Sequence, residues 1–232
     1  RYEGCEDDEL KAKARARGAD LIDLGMGNPD CPTPEPVLRV IQDAVMKPEN
    51  HRYPQFNGKP EFREAISRFM ERRFGVDIDP EYEIMPLIGS KEGLAKISLA
   101  YSDIDSYNIV FSPYYPVHSR ATWLAGGNVY HCAMTEDNNY MPDPEEIPVE
   151  IAQKAKLMFM SYPHNPTGAI ATLDYFQKLV DYCKKHGIIL VSDLAYSEIC
   201  FDGYRPPSIF NVPDAKSVAV EFHSFSKSFN MA

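Results

Sequence analysis

Residues 156–193 read KLMFMSYPHNPTGAIATLDYFQKLVDYCKKHGIILVSD, and the fold follows from how this stretch divides. Residues 157–163 form a short apolar run of buried-strand character, closed by the turn cluster HNPTG. From Leu173 the spacing becomes helical, with Leu173, Phe176, Leu179, Val180 and Cys183 on one face. Thr172 is placed to cap that helix, and Lys184, Lys185 and His186 before Gly187 give a cationic last turn and a stop. IILVSD is then a second apolar strand. Strands joined through a helix by short connections lie parallel, so the segment predicts a right-handed strand–helix–strand unit.

The same vocabulary extends in both directions. SVAVEF is a strand running into SFSKSFNMA, and NIVFSP and GNVYHCAM are two more, separated by a proline-rich aromatic turn and the helix VHSRATWLAGG. EIMPLIG followed by GLAKISLAY reads as a further strand and helix. Upstream the character changes: a charged helix, ELKAKARARGAD, leads through the proline-punctuated LIDLGMGNPDCPTPEPV to the helix VLRVIQDAVM. The expected organisation is an N-terminal arm over residues 1–47 and an α/β domain with a mostly parallel sheet over residues 48–232.

Composition narrows the function. With 232 residues and 44% hydrophobic side chains, the chain buries a real core. No apolar run approaches the ~20 residues of a membrane span, and the first residues lack a signal-type apolar stretch, so the default expectation is a cytoplasmic protein with no membrane partner. A net charge of −10 repels a phosphate backbone, which argues against nucleic acid. The five cysteines are scattered and form no C-x-x-C pair, which argues against a disulfide framework or zinc site. His118, His131, His164 and His223 show no ligand spacing, so no metal is assigned. Pro166 removes the glycosylation reading of Asn165 and Thr167.

In open parallel sheets, ligands bind beyond the carboxyl ends of the strands, and polar residues collect there. IILVS ends in Asp193, LMFMSYP leads to Asn165, VAVEFHSFS leads to Lys227, and LIG opens onto Ser90 and Lys91. Each has an ordinary reading: Asp193 as a helix cap, Asn165 as a turn residue, Lys227 as a solvated surface lysine. GSKEG is also an anion site, because free N–H groups at a helix start attract phosphate. Neither a Walker loop nor a dinucleotide fingerprint is present. Pyridoxal phosphate accounts for the set together, since it needs a lysine amine, an acid for its ring nitrogen, and donors for its phenolic oxygen and phosphate.

GSKEGL, HNPTG, SDLAY and SFSKSFNMA, in this order along the chain, resemble the motifs of the class I/II aminotransferases, the fold-type I pyridoxal-phosphate enzymes of amino-acid metabolism and biosynthesis, and the resemblance covers nearly the whole chain. GADLIDLGMGNPDCPTP and FDGYRPPS look most like the subgroup of LL-diaminopimelate and alanine/aspartate aminotransferases. The resemblance implies a three-layer α/β/α fold and a homodimer with shared sites. It implies Lys227 as the Schiff-base lysine and Asp193 as the partner of the pyridine nitrogen. Asn165 and Tyr196 would bond the phenolic oxygen, Tyr115 would stack on the ring, and Ser90, Lys91 and Ser224 would hold the phosphate. Tyr53 would reach the phosphate of a neighbouring subunit, and Gly27 would lie against the substrate carboxylate with Asn165 nearby. The implied reaction moves an amino group from an α-amino acid to a 2-oxo acid such as 2-oxoglutarate.

Two departures stand out. Tyr114 precedes Tyr115 where relatives usually have a small residue, which leaves open which ring stacks, and SDIDSYN replaces a turn that commonly holds Pro-Gly-Asp. Family members continue past NMA with a GWR segment and a small C-terminal domain, whose arginines bind phosphate and substrate carboxylate. The resemblance thus implies a chain that breaks off inside the cofactor site. Two other readings compete: a carbon–sulfur β-lyase using the same lysine and acid, and a truncated cofactor-binding module without turnover.

Overall fold

The computed structural model describes residues 3–25 and 27–231, with side chains from residue 7 onward. The Cys5 side chain, Met26 and Ala232, the last residue of the NMA motif, lie outside the described residues. Two compact units appear, Arg1–Cys31 and Pro32–Ala232.

The first unit carries α1 (Glu3–Ala16) and an extended segment after it. Lys11 Nζ lies 3.0 Å from Asp23 Oδ2, and the Gly25 N–H donates to Asp23 Oδ1 at 3.0 Å. The Gly25 N–H and Lys11 together hold the Asp23 carboxyl below its usual range.

The second unit carries α2 (Glu35–Val45), α3 (Pro60–Phe74), α4 (Ser90–Tyr101), β1 (Tyr107–Ser112), α5 (Val117–Leu124), β2 (Asn128–Ala133), α6 (Val149–Ala152), β3 (Ala155–Met160), α7 (Leu173–His186), β4 (Ile189–Asp193), β5 (Ala219–Phe222) and α8 (Phe225–Ser228). The strands form one sheet in the order β2-β1-β3-β4-β5, and every neighbouring pair is parallel.

Strand periodicity sorts the core into two faces. Ile109 and Phe111 of β1, Met158 and Met160 of β3, and Leu190 of β4 meet Phe176, Leu179, Val180 and Cys183 of α7. Their alternates, Val110, Leu157, Phe159 and Val191, form a separate cluster with Leu94 of α4. Residues two apart share a face of a pleated strand, so this alternation makes three layers, helix on sheet on helix. A third cluster joins Met70 and Phe74 of α3 to Val76, Ile78 and Leu194.

α7 forms as its sequence predicts. Thr172 Oγ1 accepts from the Tyr175 N–H at 3.2 Å, and Gly187 ends the helix at φ 67°, a conformation that disfavours a side chain. Leu173 departs from the predicted face: it is exposed, and Tyr175 and Tyr182 are buried instead. EIMPLIG is also a correction, since residues 83–89 belong to none of the described strands. Pro86 lacks a ladder donor, and the Ile88 N–H is taken by the Glu92 carboxylate at 2.7 Å. None of the described helices is long and apolar enough to cross a membrane.

Candidate active site

The chain leaves β1 toward one edge of the sheet to form β2, then returns to place β3 on the other side of β1. The carboxyl ends of β1 and β3 therefore flank a topological switch point, where a crevice opens in sheets of this kind. After β1 come Tyr114, Tyr115 and α5; after β3 come Ser161 and the HNPTG turn.

Asp193 closes β4, pairing in register with Phe222, and is 5% exposed. Its Oδ2 accepts from His118 Nε2 at 3.2 Å, and Ser161 donates to its backbone oxygen at 3.0 Å. Asp193 Oδ1 is buried and has no hydrogen-bond partner. A buried carboxylate oxygen left in that state is costly unless a donor from outside the chain meets it. The His118 ring is fixed from two sides, stacked on Phe159 at 5.0 Å and 16° and edge-on to Tyr115 at 5.9 Å and 88°. Thr122 donates to the His118 backbone oxygen at 2.9 Å and itself accepts from Asn108 of β1 at 2.8 Å. The acid is thus held by a buried polar line running through the helix beside it.

Lys227 lies on α8, which follows β5 after only two residues, so the lysine and Asp193 leave the same end of adjacent strands. Ser224 caps α8, its Oγ accepting from the Ser226 N–H at 3.1 Å. Its hydroxyl proton remains available to an acceptor. Ser90 and Lys91 form the first turn of α4. Gly93 seats that turn: a Cβ there would lie 2.2 Å from the Phe222 ring and 2.5 Å from Leu87. Only a residue without a side chain lets α4 approach the end of β5 this closely.

Asn165 and Tyr196 line one cavity of about 450 Å³ with His164, Ile170, Ile199 and Phe201. Burial raises the Tyr196 phenol above its usual range, and the charges of Asp193 and Tyr115 add to this, so its hydroxyl stays protonated and able to donate. Burial also pushes His164 down to about 4, with His118 adding to the effect, and its Nδ1 lies 2.8 Å from Thr167 Oγ1. Of the two adjacent tyrosines, Tyr114 stacks on His131 of β2 at 5.4 Å, whereas Tyr115 contacts the partner of Asp193.

Asp193, Tyr115, Asn165, Ser224 and Lys227 thus stand at or just past the carboxyl ends of the strands, Tyr196 shares a cavity with Asn165, and Ser90 and Lys91 open α4. Gly27 belongs to the N-terminal unit, and Tyr53, at 101% exposure, projects from the loop before α3. Sequence reading missed His118, considered there only as a metal ligand. Its position one residue into α5, just past the proline turn after β1, was the available signal. Among the described residues no group suited to a metal ion occurs.

The sequence model of the family described as "Aminotransferase class I and II" matches residues 19–232. Similar curated proteins include the LL-diaminopimelate aminotransferase of Moorella thermoacetica, 49% identical over 95% of this chain and 56% of that protein. The LL-diaminopimelate aminotransferase of Aquifex aeolicus is 46% identical over 99% of this chain and 59% of that protein. Among solved structures, substrate-bound BacF from Bacillus subtilis superposes with a TM-score of 0.93 at 36% identity, covering 100% of this chain and 58% of that one. A Thermus thermophilus aspartate aminotransferase mutant gives 0.87 at 28% identity, covering 97% and 57%. The chain spans a little over half the length of these relatives. With its strand-end acid, its lysine turn and a family match over almost its whole length, this chain belongs to the class I and II aminotransferases.

Proposed function

We propose that this chain carries the cofactor-binding part of a cytoplasmic, pyridoxal-phosphate-dependent aminotransferase. Its donor is an amino acid of the LL-diaminopimelate, alanine or aspartate type, and its acceptor a 2-oxo acid such as 2-oxoglutarate. The observation that carries the reading is the buried, unpartnered Oδ1 of Asp193, one strand away from the strand that leads to Lys227. It fits a protonated ring nitrogen, whose N–H supplies the missing donor.

Pyridoxal phosphate, when bound, supplies an aldehyde that condenses with amines and a ring that takes up the electron pair released at the substrate Cα. Asp193 keeps the ring nitrogen protonated by placing a negative charge against it. His118 keeps Asp193 from turning away, since its own ring is packed between Phe159 and Tyr115. Tyr196 and Asn165 would donate toward the phenolic oxygen, and Tyr115 would cover a ring face. Ser90, Lys91 and Ser224 hold the phosphate, helped by the N–H groups that open α4. Lys227 would hold the cofactor through its aldehyde carbon, and its amine, when free, would take the substrate Cα proton and deliver it to that same carbon.

Tyr53 and Gly27 complete the proposal: Tyr53 reaches the phosphate held by a second copy of the chain in a homodimer, and Gly27 leaves room for the substrate carboxylate. The arm reading of residues 1–47 draws support from α2, none of whose residues is buried.

Two measurements test the reading. Borohydride reduction after incubation with pyridoxal phosphate should label Lys227, and label on another lysine refutes the assignment. Amino-donor turnover should require a 2-oxo acid; ammonia released without one would favour β-elimination.

A further inference from the structure

We propose that Glu221 is a positioning residue, whose carboxylate ties the ends of β4 and β5 together from beneath the site and so sets where Ser224 and Lys227 stand relative to Asp193. The inference rests on the proposed roles of those residues.

Glu221 occupies the third position of β5, and its side chain is 1% exposed. Its neighbours Val220 and Phe222 pack on the α4 side of the sheet, so Glu221 faces the opposite side. A carboxylate in such a place is expensive to desolvate unless donors meet it. Here both oxygens are met twice. Oε1 accepts from Ser208 Oγ at 2.7 Å and from His223 Nε2 at 3.0 Å. Oε2 accepts from the Ile209 N–H at 2.9 Å and from Ser192 Oγ at 3.1 Å.

The donors come from the places the site depends on. Ser192 is the residue before Asp193, and His223 is the residue before Ser224, which caps the lysine helix. Ser208 and Ile209 open the short helix Ile209–Asn211 and moor the assembly to the body of the domain. His223 is also braced by the rings of Phe69 and Phe74 of α3, at 6.2 and 5.8 Å. One carboxylate therefore grips both strand ends, each one residue from a proposed site residue. An aliphatic residue at this position would bury as well, but it would leave four donors without an acceptor and the two ends uncoupled.

Glutamine is the discriminating substitution. Its amide keeps the volume but turns an N–H₂ toward one of the two donor pairs, so half of the grip is lost. The test compares the wild-type chain with Glu221→Gln, His223→Ala and Thr172→Ala, the last removing the α7 cap as a destabilised control that makes none of the Glu221 hydrogen bonds. Each is titrated with pyridoxal phosphate, its cofactor absorption spectrum recorded, and Lys227 labelling by borohydride quantified; the melting temperature of the cofactor-free chain is measured alongside. Displacing the lysine by a fraction of an ångström predicts about a tenfold higher pyridoxal phosphate concentration for half-labelling in Glu221→Gln, and a smaller shift in the same direction in His223→Ala. Thr172→Ala should melt lower yet label like wild type.

Wild-type labelling by Glu221→Gln and His223→Ala overturns the inference, as does an equal loss in Thr172→Ala, which would mean that stability alone is being read. If Glu221→Gln fails to fold, His223→Ala decides, because it cuts only the arm toward Ser224. If the wild-type chain itself is not labelled at Lys227, the proposed site falls and this inference falls with it.

Discussion

The two faces of the sheet are built from different materials. Against α7 the strands present Ile109, Phe111, Met158, Met160 and Leu190, and the helix answers with Phe176, Leu179, Val180 and Cys183. On the other face, beneath α4 and α5, the buried set includes Asn108, Ser98, His118, Ser119 and Thr122 among the apolar residues, together with a glycine where α4 meets Phe222. Under α7 the first face is apolar, and the thiol there is inert: burial alone drives the Cys183 sulfhydryl above its usual range. The second holds buried polar side chains in a hydrogen-bonded line that ends on Asp193. Apolar packing is non-directional, whereas hydrogen bonds fix orientation, so the packing under α7 stabilises the sheet, while this line and the Glu221 contacts aim groups at the carboxyl ends of the strands.

Substitutions on the two faces should separate these roles. The largest effect is expected at the edge itself: Lys227→Ala should abolish borohydride-trapped cofactor and lower amine transfer by the pyridoxal-phosphate-loaded protein roughly 100- to 10,000-fold, with melting of the cofactor-free chain little changed. In the apolar packing under α7, Phe176→Ala should destabilise the chain by about 3–5 kcal/mol in denaturant titration, while whatever fraction stays folded still labels at Lys227. Should labelling per folded molecule collapse in that variant, the division between faces is wrong. In the full-length enzyme the proposed role of Asp193 predicts that Asp193→Ala costs about 3 kcal/mol of transition-state stabilisation, read from kcat/KM, through loss of the counter-charge to the ring nitrogen. Unchanged turnover would contradict the role given to the acid.

The smallest effect concerns pH. His164 sits at about 4 in the folded chain against an ordinary 6.5, because burial disfavours its charged form. Between those values the unfolded chain binds the extra proton, so stability falls as pH drops from about 6.5 toward 4. Denaturant titrations at both ends of that window should show a loss of roughly 2 kcal/mol that is absent in His164→Asn. Equal pH slopes in the two proteins would show that His164 is not buried neutral.

Reading the chain unaided recovered elements whose signals are local. Thr172 and Gly187 bracket α7 as caps do, and the apolar runs 157–163 and 188–193 became β3 and β4. α3 was passed over although its signals were present: Pro60 at the first position, Phe62, Ile66, Phe69, Met70 and Phe74 at helical spacing, two arginines in the last turn and Gly75 after it. EIMPLIG failed in the opposite direction, since apolar composition does not supply a partner strand, and Pro86 and the Glu92 carboxylate remove the donors a ladder needs.

That Asp193 ends a strand and that Asn165 and Lys227 follow shortly after two others was legible in the sequence, because each strand is marked by its own apolar run. What only the tertiary structure decided is who holds them. His118 is 75 residues from Asp193 and binds it across the sheet. Tyr115 meets the His118 ring while Tyr114 turns to β2. Glu221 gathers donors from three segments. No local pattern encodes such pairings, for they depend on which strands become neighbours, and that order is settled only when the two apolar faces are buried together.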